Sequence, residues 1–170
     1  MIYPPQYSVV VPVYNSERTL LELYERVNST FANMHATYEL ILVNDFSTDG
    51  SWNVIKDIKN KAGNKVVAIH LRRNFGQHKA LLCGFQYAQG DYVITIDDDL
   101  QFYPEDIELM IQRARNTQAD LVYGIYREER QHSKVRKWGS GFVGMIFEKF
   151  GNTVGQGSSF KVIHKSVIEK

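Results

Sequence analysis

Three consecutive carboxylates, Asp97 to Asp99, are the residues of this chain best suited to chemistry. They directly follow the apolar run Tyr92–Ile96, which its composition predicts to be a buried strand. Carboxylates this close repel one another, and burial raises the cost unless a cation compensates. Mg²⁺ and Mn²⁺ prefer oxygen ligands and commonly bind one or two carboxylates together with a substrate's phosphates. The triplet therefore predicts a metal–phosphate site or, as the simpler alternative, a solvated turn before a helix.

Apolar, β-branched runs recur along the chain and predict the strands that must position this triplet. They cover Tyr7–Val13, Tyr38–Val43, Lys65–Leu71, Asp91–Ile96 and Asp120–Tyr126. Because the runs are nearly continuous in Val, Ile and Leu rather than alternating, we expect strands that are buried on both faces, as in a parallel sheet.

Helical periodicity fills the intervals between these strands. The apolar stripes run over Leu20–Phe31, Trp52–Ile58, Ala80–Ala88 and Ile107–Ala114. Gly90 is predicted to end the third helix at its C′ position, and Pro104 to open the fourth. This alternation predicts an α/β fold with a mostly parallel central sheet and helices on both faces. No repeat or linker interrupts the sequence, so we expect residues 1–170 to form one domain.

Composition narrows the class of protein. Of the 170 residues, 44% are hydrophobic and 23% charged, and the net charge of +1 gives no general argument for nucleic-acid binding. The single cysteine excludes an internal disulfide and a cysteine-based metal cage. The first residues lack the features of a signal peptide, and no apolar run approaches the roughly 18 residues of a spanning helix. We therefore expect a cytoplasmic chain.

Polar residues cluster where each of the first four predicted strands ends. The clusters are Pro12–Asn15, Asn44–Asp45, Arg72–Asn74 and Asp97–Asp99. In an open α/β sheet the ligand crevice lies at the carboxyl ends of the strands, so the clusters are expected to converge there. Neither a dinucleotide fingerprint nor a P-loop occurs in the sequence. A phosphate-bearing ligand would therefore need a metal and basic side chains, and Arg73, His78 and Lys79 are of that type.

Taken in order, these motifs resemble those of inverting family 2 glycosyltransferases with the GT-A fold. The most similar subgroup transfers sugars to polyprenyl phosphates, as dolichyl-phosphate mannose synthases and bacterial undecaprenyl-phosphate sugar transferases do. The resemblance runs from about Tyr7 to Ile168, and its motifs are Val10–Asn15, Val43–Gly50, Arg73–His78, Asp97–Gln101 and Pro104–Glu105. It implies a UDP-, GDP- or dTDP-sugar donor and Mg²⁺ or Mn²⁺ as cofactor.

The resemblance also implies roles for individual residues. Asp97 and Asp99 would be the catalytic D-x-D pair at the ribose and the metal–diphosphate, with Asp99 on the metal. The implied donor-binding residues are Pro12, Tyr14, Asn15, Glu17, Asp45, Arg73, Asn74, Gly76, Gln77, Asp97, Asp98 and Gln101. Asn44 and Phe46 stand where the family often has Asp and Gly, which leaves the nucleotide base open.

The acceptor decides whether the reaction needs a general base. A saccharide hydroxyl must lose a proton, whereas a polyprenyl phosphate is already an anion. No carboxylate occurs between Asn152 and Ser166, which agrees with the polyprenyl phosphate as the favoured acceptor and the hydroxyl as the alternative. Lys161 stands where the family has a phosphate-contacting arginine.

A further stretch of the sequence concerns the identity of the acceptor. It is basic and leads into an aromatic-rich segment that ends at Phe150. Its arginines Arg127, Arg130 and Arg136 are expected to contact the acceptor's phosphate. The segment predicts peripheral contact with the inner face of a membrane or, alternatively, an ordinary helix packed on the sheet.

Other classes of protein stay open at this point. A non-catalytic nucleotide-sugar-binding domain would keep the same motifs. The chain stops at Lys170, so we expect a catalytic domain truncated at its C-terminal end or, if the chain is whole, this non-catalytic module. A nucleotidyltransferase would normally show a glycine-rich first loop, which is absent. The motifs do not determine the sugar or the oligomeric state, with a homo-oligomer as one alternative.

Overall fold

A computed structural model describes residues 4–125 and 158–168 of the chain. Within these residues, strands form one sheet: β1 Tyr7–Val13, β2 Tyr38–Asn44, β3 Val66–His70, β4 Tyr92–Thr95, β5 Leu121–Tyr123 and β6 Lys161–His164. The helices of the same residues are α1 Leu20–Asn33, α2 Ser51–Ala62, α3 Gln77–Phe85 and α4 Asp106–Thr117, with 3₁₀ turns at Gly63–Lys65 and Lys165–Val167. None of these helices is long and apolar enough to cross a bilayer.

The sheet is mostly parallel, as the strand composition predicted. Its order is β3-β2-β1-β4-β6-β5. The first four strands run in one direction, and β6 runs antiparallel to both of its neighbours, β4 and β5. The carboxyl ends of β1 to β4 therefore share one edge of the sheet.

Two interior strands of the sheet, β1 and β2, are buried at every position. On one face of the sheet, a large core joins the strands to α1, α2 and α4 and contains Tyr7, Phe31 and Phe160. On the other face, Val10 and Ile41 belong to a smaller core beneath α3. Packing on both faces explains why these strands are continuous in apolar residues, and it gives the loops at their carboxyl ends a rigid base.

The third helix differs from its prediction. It begins at Gln77 and ends at Phe85, so the prediction that Gly90 terminates it at C′ was wrong. Gly90 instead packs against β1, where a Cβ atom would lie 2.6 Å from the carbonyl carbon of Tyr7. This close approach leaves no room for a side chain, which explains the glycine without a helix end.

Candidate active site

A pocket of about 380 Å³ opens where the carboxyl ends of the parallel strands meet. It is lined by Pro12, Val13, Tyr14, Asp45, Asn74, Gly76, Gln77, Asp97, Asp98 and Asp99. Pro12 and Val13 end β1, and the other lining residues come after β1, β2, β3 and β4, so the four polar clusters converge as the strand pattern predicted. The volume is within the range of pockets that hold a small-molecule ligand.

Asp97 is half-buried and is held by donors from two distant segments. The Ser159 hydroxyl donates to Oδ2, and Gln77 Nε2 donates to Oδ1 over 2.6 Å. Burial raises the pKa of Asp97, with a smaller contribution from the charge of Asp99, while the Ser159 hydrogen bond and the Lys161 charge oppose the rise. The ionised form of this carboxylate therefore depends on the donors and the cation around it.

Asp98 connects the end of β4 to the loop after β1. Its Oδ2 accepts hydrogen bonds from the Tyr14 N–H, over 3.0 Å, and from the Ser16 hydroxyl. Its backbone carbonyl accepts from Thr19 Oγ1 over 2.5 Å. Burial raises the pKa of Asp98, and the Ser16 hydrogen bond opposes this. Asp98 lines the pocket, but one of its oxygens is already engaged in fixing the first loop.

Asp99 is the exposed member of the triplet. Its Oδ1 accepts a hydrogen bond from the Gln101 N–H over 3.0 Å. Within residues 4–125 and 158–168, no group of three or more His, Cys, Asp or Glu side chains is arranged to hold a metal. A Mg²⁺ or Mn²⁺ ion that arrives with a diphosphate needs only one or two carboxylates from the protein. An exposed carboxylate beside the half-buried Asp97 fits such an ion, and a preformed metal cage does not describe this site.

Asp45 is 3% exposed and anchors the loop before α3. Its two oxygens accept from the Phe75 N–H over 2.7 Å and from the Gly76 N–H over 2.8 Å. Gly76 has a φ of +88°, a conformation that glycine adopts without strain. The turn places the next residue, Gln77, within reach of Asp97. The sequence motif predicted that Asp45 contacts the nucleoside. It did not predict that Asp45 also anchors the loop before α3.

Asn15 and Glu17 join the loops after β1 and β2 instead of lining the pocket. The Asn15 Oδ1 accepts from the Thr48 N–H over 2.8 Å. The Glu17 Oε2 accepts from the Gly50 N–H over 2.9 Å, and the Glu17 N–H donates to the Asp49 carboxylate over 3.1 Å. These contacts hold the first two loops together and set the position of the adjoining pocket residues.

The remaining predicted residues have different surroundings. The Arg73 guanidinium lies over the ring of Phe75, with its Cζ 4.7 Å from the ring centroid. Lys161 Nζ lies 5.5 Å from the ring centroid of Tyr123. Arg73, Gln101 and Lys161 are not among the residues that line the pocket. The predicted phosphate contacts Arg127, Arg130 and Arg136 lie outside the described residues.

Sequence reasoning missed Ser16 and Ser159, which donate to Asp98 and Asp97. Ser16 stands beside the first-strand motif, so its position could have signalled a role. Ser159 is distant in sequence from the aspartates, and no spacing rule connects serines to them. The hydrogen bond from Ser159 to Asp97 could be expected only from the pairing of β6 with β4.

The family model described as "Glycosyl transferase family 2" matches residues 8–170. The chain belongs to this family. Curated family 2 relatives include undecaprenyl-phosphate 4-deoxy-4-formamido-L-arabinose transferases from Pseudomonas aeruginosa (strain LESB58) and Aeromonas hydrophila. The first is 38% identical over 164 residues, covering 95% of this chain and 48% of the relative. The second is 42% identical over 142 residues, covering 84% and 43%. The chain thus spans about half the length of these family members.

Solved structures share the GT-A fold expected of a family 2 member. Staphylococcus aureus TarS 1-349 has a TM-score of 0.65 and 20% identity, covering 96% of this chain and 48% of that chain. The mannosyltransferase PcManGT from Pyrobaculum calidifontis, in complex with GDP-Man and Mn²⁺, has a TM-score of 0.62 and 20% identity, covering 74% and 36%. At such low identity the likeness concerns the fold alone.

Proposed function

We propose that this family 2 domain transfers a sugar from a nucleotide-diphosphate donor to a polyprenyl phosphate, with inversion at the anomeric carbon. The observation that carries the proposal is the pocket that brings Asp97 and Asp99 to the loops after β1 and β2. The family match supports a glycosyltransferase, and the names of the curated relatives support a polyprenyl phosphate acceptor.

The donor would bind with its diphosphate beside Asp99 and the start of α3. A helix N-terminus favours negative charge, and α3 begins at Gln77, which lines the pocket. Asp99 would hold Mg²⁺ or Mn²⁺, which when bound stabilises the negative charge that grows on the leaving nucleoside diphosphate. Tyr14 and Asp45 would contact the nucleoside, as the family motifs imply.

The transfer would be an in-line displacement. An oxygen of the acceptor phosphate bonds to the anomeric carbon while the bond from that carbon to the donor's phosphate oxygen breaks, and its electron pair leaves with the diphosphate. The acceptor oxygen is already anionic, so the pocket need not supply a general base. Lys161 is close enough to influence Asp97 and would attract the acceptor's phosphate toward the same site.

Calorimetric titration of UDP, GDP and dTDP, each with and without Mn²⁺, tests the donor site. The wild-type chain is compared with Asp99→Ala and with Asp57→Ala, which removes an exposed carboxylate of α2. We expect metal-dependent binding of one nucleotide, a loss of about 100-fold or more in Asp99→Ala, and no change in Asp57→Ala. Absence of binding to every nucleotide under every condition would overturn the proposal.

Turnover with the matching nucleotide sugar distinguishes the acceptors. Transfer to a polyprenyl phosphate supports the proposal, whereas transfer to a saccharide hydroxyl supports the alternative acceptor. Nucleotide-sugar binding without turnover on either acceptor would indicate a non-catalytic binding domain.

A further inference from the structure

Helix α3 packs small residues against the sheet and exposes one apolar residue, Leu82, on its outer surface. Its inner positions Ala80 and Gly84 are buried against the sheet. A Cβ atom on Gly84 would clash with the Val10 side chain and lie 3.2 Å from Val43 Cγ2. Small residues thus bring the helix close to the sheet, while Leu82 is 61% exposed. The other exposed residues of α3 are Gln77, His78 and Lys79, so Leu82 is the one exposed apolar side chain of this helix.

The same part of the chain is basic and free of acids. Residues 70–90 contain no Asp or Glu, although the net charge of the whole chain is only +1. Arg72, Arg73 and Lys79 are all exposed. Lys79 and Leu82 are three residues apart on α3 and are therefore neighbours on its surface. Exposed cations beside exposed apolar side chains match the chemistry of an anionic lipid surface.

An aromatic ring extends this surface to the rim of the pocket. Phe75 is 37% exposed, with Arg73 Cζ 4.7 Å and Lys79 Nζ 5.9 Å from its ring centroid. The hydrogen bond from its N–H to the buried Asp45 holds its backbone in place. Its chain neighbours Asn74 and Gly76 line the pocket. We call Arg73, Phe75, Lys79 and Leu82 the α3 patch.

We propose that the α3 patch lies on the surface of an anionic lipid bilayer and so presents the pocket to a phosphate carried by a membrane lipid. The identity of that lipid as the acceptor rests on the proposed function, whereas the membrane contact does not. Charge favours a bilayer over a second copy of the chain, because a symmetric dimer through this patch would bring Arg73 and Lys79 close to their own counterparts.

Exposed leucines elsewhere provide matched controls. Leu109 of α4 is 50% exposed and directly follows the exposed Glu108. Leu21 of α1 is 43% exposed and directly precedes the exposed Glu22. Single apolar residues in acidic surroundings are ordinary surface features and are repelled from anionic lipid. Lys56 of α2 is an exposed lysine that controls for loss of charge.

Flotation of the 170-residue chain with vesicles tests the patch. The vesicles contain phosphatidylcholine alone or equal parts of phosphatidylcholine and phosphatidylglycerol. We expect salt-sensitive binding to the anionic vesicles and not to the neutral ones. Leu82→Gln should weaken binding about tenfold and Lys79→Gln several-fold. Leu109→Gln and Lys56→Gln should bind as the wild type does, and Leu82→Trp, which restores an apolar side chain, should retain binding.

Several outcomes would overturn the proposal. These are no binding to anionic vesicles, equal losses in the Leu109→Gln control, and binding that is insensitive to both Leu82→Gln and Lys79→Gln. A dimer that Leu82→Gln dissociates, seen by light scattering, would assign the patch to a second copy of the chain. Nucleotide titration separates this test from that of the function: vesicle binding without nucleotide binding leaves the patch standing while the proposed function fails.

Discussion

Burial raises the pKa of Asp97 and of Asp98, and this shift has a cost for the folded state. A carboxyl whose pKa is higher in the folded than in the unfolded chain binds its proton more readily when folded. Its contribution to stability therefore falls as the pH rises from the unfolded pKa, near 3.8, through the folded pKa. At neutral pH both groups therefore reduce the free energy of unfolding.

Asp97→Asn should stabilise the fold while it weakens donor binding. The amide removes a buried charge, and its oxygen can still accept a hydrogen bond from Ser159 or Gln77. We expect the melting temperature to rise by roughly 2 °C at pH 7. The gain should shrink as the pH falls toward 3.8, because the wild-type carboxyl then takes up its proton.

Thermal unfolding between pH 7 and pH 4 measures this difference, with the exposed Asp57→Asn as the control. A variant that is less stable than the wild type at pH 7 would contradict the assignment of a burial cost to Asp97. A difference in melting temperature that does not change with pH would do the same.

At the scale of elements, Asp45 attaches the start of α3 to the end of β2. Removing its carboxylate takes the acceptor from the Phe75 N–H and leaves the Gly76 N–H with only the Asn74 Oδ1, 3.0 Å away, in a partly buried turn. We expect Asp45→Ala to lower the free energy of unfolding by roughly 1–3 kcal/mol. Asp45→Asn should also destabilise, because its amide oxygen can replace only one of the two acceptors while its NH₂ group faces the other donor.

Urea unfolding and amide hydrogen exchange test the role of Asp45 together. Both variants should lose protection at the Phe75 amide and, to a smaller extent, at the Gly76 amide, which keeps Asn74 as an acceptor, while the strands keep their protection. Unchanged exchange at these two amides would show that other contacts hold the turn. Uniform loss of protection across the chain would instead indicate a general destabilisation.

The sequence predicts the limits of an element well where a local pattern of residues determines them. The limits of β1 match the predicted Tyr7–Val13 because seven consecutive buried positions leave little ambiguity. The limits of α3 do not match, because its apolar pattern continues to Ala88 while its start is fixed by Gly76 and the distant Asp45. The convergence of the polar clusters was likewise predictable, since strand direction alone determines it.

Hydrogen bonds between distant segments were not predictable. The bonds from the Gly50 N–H to Glu17 and from the Ser159 hydroxyl to Asp97 join parts of the chain that share no sequence pattern. The Glu17 side chain connects two loops in the structure, and its predicted contact with the donor stays a prediction. Only the positions of the loops in space, after folding, decide between these uses of the same residue type.

At the scale of the whole molecule, the position of β6 determines whether the edge of β4 is paired. It lies between β4 and β5 and pairs with both. A chain that ends at residue 157 would lack this strand, and β4 would become an open edge. We expect such a chain to aggregate, because an unpaired strand of apolar residues is a template for association. A chain that ends at Val167, which keeps β6, is the control.

Size-exclusion chromatography and circular dichroism compare the two shortened chains. The longer one should elute as the full chain does and retain its far-ultraviolet spectrum. A shorter chain with the same elution and spectrum would contradict the structural importance of β6.

The late position of β6 in the chain also affects how the protein is made. Strands β1 to β4 leave the ribosome first, while the edge of β4 waits for a partner. The roughly 65 residues between Thr95 and Lys161 take several seconds to synthesise. Ser159, which holds Asp97, emerges in the same interval. A nascent chain therefore spends seconds with β4 exposed to neighbours and to chaperones, and Asp97 gains its Ser159 hydrogen bond only after that interval.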